Sequence, residues 1–143
     1  MINTLNLIFN TSSECKDNTC KLSKKDIKQI YKPDLGIKDL KMKKSIFGSI
    51  EPTLCDCLII HKNDKITLLE IKCGTVTNHI LKEIIEQISN VYRILENQGI
   101  NIHKCIFICK KFSDSMVKKR LLNKRIKHIP LSHKIYNTTA IEI

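Results

Sequence analysis

Asp56, Glu70 and Lys72 are charged side chains set in a strongly apolar stretch, L-C-D-C-L-I-I-H-K-N-D-K-I-T-L-L-E-I-K-C-G over residues 54–74. Desolvating an unpaired charge costs several kcal/mol, so either these groups compensate one another or a cation belongs between them. Two carboxylates brought together form an oxygen site suited to Mg²⁺ or Mn²⁺, ions that take few protein carboxylates and complete their shells with water and phosphate oxygens. Such an ion polarises a phosphodiester and lowers the pKa of a water it binds. Lys72 points to the same side as Glu70, about 7 Å along an extended strand. There it can orient an attacking water or stabilise developing negative charge. The main-chain carbonyl of Ile71 is a candidate further ligand.

The elements that must position these groups can be read from the hydrophobic pattern. Residues 54–74 form two strands joined by a short polar turn. Leu54, Asp56, Leu58 and Ile60 share one face of the first strand, and Ile66, Leu68, Glu70 and Lys72 share one face of the second. The intervening residues are also apolar, as in central strands buried on both faces. A two-residue loop at Asn63-Asp64 would put Asp56 opposite Ile71, with Glu70 on the other side. A three-residue loop, with His61 opposite Lys65, puts Asp56 across from Glu70. A shared site requires the second register.

Downstream, apolar residues at three-, four- and seven-residue spacing from Ile80 to Leu95 predict a helix over residues 77–98, stopped by Gly99. Gln87 lies beside its apolar stripe, where a polar side chain needs a buried partner. Residues 103–109 form another strand. Ser113 or Asp114 caps a basic helix running to Ile126, with Val117, Leu121, Leu122 and Ile126 facing inward, and residues 129–136 form a last strand. Strand-helix-strand order here predicts parallel pairing across the helix. Upstream, Ser23 and Asp26 form a capping box for a short helix over residues 24–31, ended by Pro33. Residues 45–50 are the first strand expected. Residues 1–44 are otherwise poorly determined, so the chain is expected to be a single domain, 1–143, with its core over residues 45–137.

Asp56, then fourteen residues on the string Glu70-Ile71-Lys72, at the end of a hairpin and followed by a long helix, resembles the PD-(D/E)XK nuclease superfamily. The resemblance covers about residues 45–110. It implies an α/β, restriction-endonuclease-like αβββαβ core with a mixed central sheet flanked by helices. It further implies a deoxyribonuclease dependent on Mg²⁺ or Mn²⁺, an endonuclease that hydrolyses phosphodiester bonds in DNA by a metal-activated water. Asp56 and Glu70 would be metal ligands, together with the Ile71 carbonyl, and Lys72 the catalytic lysine. Gln87 followed by Tyr92 is similar to the Gln and Tyr motif of RecB-like members, at a spacing of five rather than four. Gly48-Ser49 before the Asp56 strand is similar to archaeal Holliday-junction resolvases. Two features depart from the pattern. No Pro directly precedes Asp56, and the acidic residue of the family's first helix has only Glu14 or Glu51 as candidates. The alternative is a catalytically inactive nuclease-like module that binds nucleic acid or a partner.

The net charge of +11 is unevenly spread. Residues 16–44 hold 10 Lys against 4 Asp, residues 51–100 hold 7 acidic against 5 basic residues, and residues 103–134 hold 10 basic residues against Asp114 alone. Two basic flanks around a mildly acidic centre suit a polyphosphate backbone, since each phosphate neutralised releases counterions. The candidates for gripping DNA are Lys24, Lys25, Lys28, Lys41, Lys43 and Lys44 on one side, and Lys118, Lys119, Arg120, Lys124 and Arg125 on the other. Few aromatic residues argue against base stacking and for backbone or shape readout. By analogy a homodimer would serve to cut both strands. Seven cysteines, an odd number, without a signal peptide point to buried free thiols in a reducing, cytoplasmic compartment. Those in the strands are expected on faces away from the acidic residues, and no zinc site is expected. The five histidines are scattered and are expected to be structural or at the surface. No membrane span is expected.

Overall fold

The computed structural model describes residues 1–17, 20–136 and 140–143. Its elements are, in order, α1 (Ile2–Ile8), β1 (Thr11–Ser12), β2 (Lys16–Asp17), β3 (Cys20–Lys21), β4 (Ile27–Tyr31), a 3-10 turn (Pro33–Leu35), α2 (Leu40–Phe47), β5 (Cys57–His61), β6 (Ile66–Val76), α3 (Asn78–Asn97), β7 (Lys104–Phe112), α4 (Ser115–Leu121), β8 (Arg125–Ile126) and β9 (Ile129–Ile135). Seven strands form one mixed sheet in the order β1-β4-β5-β6-β7-β9-β8, and β2 and β3 pair separately as a small hairpin. Strands β1, β4, β5 and β6 pair antiparallel in succession, β6, β7 and β9 pair parallel, and β8 is antiparallel to β9. The long helix α3 makes the β6–β7 crossover, as parallel neighbours require. This is an α/β fold with a mixed central sheet flanked by helices. The helix-strand order α1-β4-β5-β6-α3-β7 has α2 set between β4 and β5.

Two sequence expectations upstream of the hairpin are corrected. Residues 27–31 are strand β4, not a helix, because Asp26 takes a positive φ of 60° and turns the chain straight into pairing with β5. The Ser23 hydroxyl accepts from the Lys25 amide in a tight local turn rather than capping a helix. Residues 45–50 are not a strand. Residues 45–47 complete α2 and residues 48–50 turn out of it; the first turn of α2 is capped by the Asp39 carboxylate accepting from the Met42 amide at 3.0 Å. Gly48, at φ 64°, ends that helix in a conformation that costs other residues strain. The first long strand of the sheet is therefore β4, and residues before 45 supply α1, β1 and β4 to the core.

Downstream the pattern is closer to expectation. Thr77 caps α3 by accepting from Ile80, and Gly99 follows its end at φ 69°. Helix α4 is capped by Asp114, accepting from Met116 and Val117, but it stops at Leu121. Leu122 is consequently exposed rather than inward-facing, and Ile126 is buried from strand β8.

The sheet's two faces are covered differently. Leu58, Ile60, Ile66, Leu68, Cys105 and Phe107 share one core with the buried residues of all four helices. Cys57, Ile59, Leu69, Ile71, Ile106 and Ile108 share a second, smaller core with Cys15, Cys20, Leu22 and Ile141. That second face is closed by the β2–β3 hairpin and the C-terminal segment. Ile141 bridges to Leu22. Two disulfides tie the hairpin down, Cys15–Cys57 to β5 and Cys20–Cys73 to β6. The expectation of free thiols holds for Cys55, Cys105 and Cys109 only. The two cysteine pairs are separate, and among the described residues no group of three or more His, Cys, Asp or Glu is arranged to cage a metal. No helix of the described residues is long and apolar enough to cross a membrane.

Candidate active site

The hairpin adopts the register in which His61 faces Lys65, its amide donating to the Lys65 carbonyl at 2.9 Å. Ile60 pairs with Ile66, Leu58 with Leu68 and Cys57 with Leu69. Asp64, at φ 65°, takes up the left-handed turn, which Asp tolerates better than most residues. The regular ladder ends at the Cys57–Leu69 pair. One step further Asp56 and Glu70 meet, and their side chains replace the ladder. The Asp56 amide donates to Glu70 Oε1 at 3.2 Å, and the Ile71 amide donates to Asp56 Oδ2 at 2.7 Å. Each carboxylate thus accepts a main-chain N–H from the other's strand, which fixes both side chains without using all their oxygens.

Glu70 is 1% exposed and lies on the helix side of the sheet, paired across β7 with Phe107. Its Oε2 is buried and has no hydrogen-bond partner among the described residues. The nearest cation, Lys72 Nζ, stands 3.9 Å from it, an ion pair at its outer limit rather than a hydrogen bond. Burial, and then the adjacent Asp56 carboxyl, push the Glu70 pKa up to about 10, with Lys72 opposing them. A carboxylate in this position is short of positive charge.

Gln87 reaches the same side of the sheet from α3. Its Oε1 is also buried without a hydrogen-bond partner, so the buried partner expected from the sequence is missing. Gln87 lines a cavity of about 360 Å³ together with Asp34, Lys43, Glu51 and Leu54. Asp34, in the 3-10 turn after β4, was not among the residues singled out from the sequence. Burial raises its pKa, Lys32 opposes this, and the charge and hydrogen bonding of Asp56 raise it further, so Asp34 stands beside Asp56. Its Oδ2 lies 3.5 Å from Lys32 Nζ. The only hint in the sequence was Pro33, which marks a turn. Nothing local revealed that β4 would bring that turn to the end of β5.

The two acidic candidates proposed as substitutes divide. Glu51 lines the cavity but is mostly exposed and paired with Lys43 at 2.6 Å. Glu14 is half-buried and paired with Lys16, with Lys24 and Lys21 as its other electrostatic neighbours. It is not part of the cluster. Tyr92 is buried in the helix-side core. The expectation that the strand cysteines avoid the acidic face holds for Cys57 and Cys73 and is corrected for the other three. Cys55, Cys105 and Cys109 lie in the helix-side core with Leu68, and burial, then Glu70 and Asp56, hold the Cys55 thiol well above its ordinary pKa.

The donor set fits a hard divalent cation. It consists of oxygens, one of them buried and unpartnered beside a second carboxylate. The protein would supply only two or three of those oxygens, the rest coming from water and phosphate as Mg²⁺ commonly takes them.

Of the basic candidates, Lys28 is bonded to Asp64 at 2.9 Å and Lys43 to Glu51, while Lys24, Lys25, Lys41 and Lys44 are exposed. Lys118, Lys119 and Arg120 form the exposed last turn of α4. Arg120 and Lys124 converge with Lys82 and Asn78 of α3 around a groove of about 300 Å³ floored by Leu81 and Ile85. Arg125 donates to the His128 carbonyl at 3.2 Å.

Among solved structures, the chain is similar to a repair endonuclease from Pyrococcus abyssi, with a TM-score of 0.41 and 17% sequence identity over 71% of this chain and 43% of that one. This chain thus matches less than half of that protein's length. No family model and no curated protein matches the chain.

Proposed function

We propose that this protein is a metal-dependent nuclease of the PD-(D/E)XK type, hydrolysing phosphodiester bonds in DNA. The observation that carries this reading is Glu70 Oε2, buried and without a hydrogen-bond partner, in a carboxylate pair with Asp56 beside Lys72. A purely structural pair would gain from being Gln or Thr, because an unsatisfied buried acceptor costs about 1–3 kcal/mol and more when charged. Asp56 and Glu70 would hold Mg²⁺ or Mn²⁺, with the Ile71 carbonyl as a further oxygen donor. The ion, when bound, would neutralise the pair, polarise the scissile phosphate and acidify a water.

The chain's own groups do the rest. Asp56 and Glu70 are preorganised by the two main-chain amides they accept, so no side-chain ordering is left to the moment of binding. Lys72 donates to the phosphate or to the attacking water from the same strand face as Glu70. Gln87 Oε1 offers an acceptor to a water at the edge of the cavity. The Lys82, Arg120 and Lys124 groove and the exposed Lys118 and Lys119 hold the flanking phosphates. A second copy would be needed to cut both strands at once.

The test is cleavage of linear duplex, single-stranded and branched DNA, and of RNA, with Mg²⁺ or Mn²⁺, by the wild type and by Glu70→Gln and Lys72→Ala. The reading expects metal-dependent cutting that both variants lose. A wild type that cuts nothing, or variants that cut equally well, overturns it. Salt-dependent binding without cleavage would mark the chain as a nucleic-acid-binding module instead.

A further inference from the structure

The cavity of about 360 Å³ lies beside the carboxylate pair, and its size falls within the roughly 300–1,000 Å³ of small-molecule sites. Asp34 lines it and stands next to Asp56, and Leu54, two residues before Asp56, forms part of its wall. The walls are fastened to one another. The Asn90 side-chain amide of α3 donates to the Thr53 carbonyl at 2.9 Å. The Arg93 guanidinium, also of α3, donates to the Ile46 carbonyl at 3.0 Å. These bonds hold the connection from α2 to β5, which carries Pro52 and Leu54, against the helix that carries Gln87.

The lining disfavours a phosphate and fits a planar, neutral group that forms hydrogen bonds at its edge. Pro33, Ile37, Pro52 and Leu54 supply apolar surface. The one cation among the described lining residues, Lys43, is already bonded to Glu51 at 2.7 Å, so an anion would find no free positive charge there. Gln87 contributes Oε1, which has no hydrogen-bond partner among the described residues. A buried acceptor in that state costs about 1–3 kcal/mol, and an N–H from a ligand would relieve it. The last torsion of a glutamine is soft, so either end of the amide can turn to the ligand. A nucleobase meets each requirement, with apolar faces for the prolines and aliphatic residues and a polar edge for Gln87 and Asp34. Leu35 and Ile50 adjoin the lining residues Asp34 and Glu51 and are 64% and 72% exposed. Aliphatic side chains so placed can wedge into a stack that one base has left.

We propose that this cavity receives an unpaired nucleobase of the nucleic-acid substrate, so that the protein acts beside an unpaired nucleotide rather than on uninterrupted duplex. This rests on Asp56 and Glu70 forming the site that holds the scissile phosphate. The phosphate stays with the carboxylate pair, while the base turns past Asp34 into the cavity. An N–H of the base takes the place of the water at Gln87 Oε1. Extruding a base costs a few kcal/mol, and least where the base has no partner. Bulges, mismatches and single-stranded segments are therefore the favoured substrates.

The probes are three DNA duplexes of one sequence. One is fully paired, one carries a single unpaired adenine, and one has an abasic site in place of that adenine. Binding is followed by fluorescence anisotropy with Ca²⁺ in place of Mg²⁺. The duplex with unpaired adenine should bind about tenfold more tightly than the abasic one, the scale of one good base contact. With 2-aminopurine at the unpaired position, binding should shield the base from acrylamide quenching. Gln87→Leu, which keeps the bulk of the side chain, should remove the preference for adenine over the abasic site. If that variant does not fold, the wild-type comparison decides the matter alone. Equal wild-type affinity for the adenine and abasic duplexes overturns the proposal, as does a folded Gln87→Leu protein that keeps the full preference. A base preference in a protein that cuts none of these duplexes with Mg²⁺ or Mn²⁺ would defeat the nuclease reading while sustaining the cavity's role. Metal-dependent cutting without any base preference would do the reverse.

Discussion

The two faces of the central sheet are equally buried but held by different means. On the helix side, four helices pack onto the strands through a large apolar core, and among the described residues the only acidic side chain fully enclosed there is Glu70. On the other side a two-stranded hairpin and the C-terminal segment cover a smaller core, and two covalent bridges supplement their packing. A hairpin of that size cannot bury enough surface to stay docked by packing alone. A bridge compensates by restricting the unfolded chain, in a model-dependent amount of about 2–4 kcal/mol. The contrast shows which face can accommodate a costly group. Only the side with a deep, closely packed core can hold a carboxylate without a hydrogen bond to one of its oxygens, because there the surrounding contacts outweigh the penalty.

Truncating one residue from each face tests this directly. Phe107→Ala, which empties a fully buried site against Phe112 and His133, should cost about 3–5 kcal/mol. Urea unfolding of that variant measures the loss, and a loss below that of a back-face truncation would reverse the comparison. Next in size is the effect on activity. Glu70→Gln should lower metal-dependent cleavage by about 10²–10³-fold, the scale of removing one electrostatic stabiliser from an active site, while leaving the fold intact by circular dichroism.

Glu70 also makes a pH signature. Its folded pKa is raised to about 10 from an ordinary 4.5, burial first and Asp56 second. Between those values the folded protein keeps a proton that the unfolded chain has released, so stability without metal should fall as pH rises through that window. Glu70→Gln should flatten the slope, and Mg²⁺ should restore wild-type stability at high pH. Thermal melts of both proteins from pH 5 to 9, with and without Mg²⁺, read this out. A wild type whose melting temperature tracks the variant's at every pH would remove the carboxylate from the explanation.

Smaller effects belong to the periphery. Ile141→Ala, on the bridged face, should cost about 2 kcal/mol, near the low end for such truncations because its surroundings can collapse onto the gap. Arg120→Ala should weaken DNA binding evenly across sequences and reduce the salt dependence of log K by about one unit. Fluorescence anisotropy at several salt concentrations measures it, and a change confined to one sequence would mean that Arg120 reads bases.

The residues of residues 54–74 and 77–98 were legible because their signals are local. Alternation, the long apolar stripe of α3, Thr77 and Gly99 all act within a few positions. The demand that Asp56 face Glu70 followed from the same logic, and it selected the register that the hairpin adopts. Residues 24–50 were misread for the opposite reason. The capping box at Ser23 and Asp26 is a short-range preference of about a kcal/mol or two, and pairing of β4 with β5 overrides it. Residues 45–50, with isoleucines on both sides of Gly48-Ser49, look extended only if Asp39 is not seen as the cap of α2.

Chain order and residue chemistry alone therefore determined that Glu70 and Lys72 share one strand face beside a glutamine-bearing helix and that the chain is basic, while leaving two hairpin registers open for Asp56. Three things required the folded chain. Asp34 reaches Asp56 only because β4 inserts next to β5. Four of the cysteines pair only because a hairpin folds back over the sheet. Glu70 Oε2 is buried only because β7 and α3 pack against β6. Each depends on contacts between residues distant in the chain. Such contacts are governed by which surfaces bury one another, and local propensity carries no record of that.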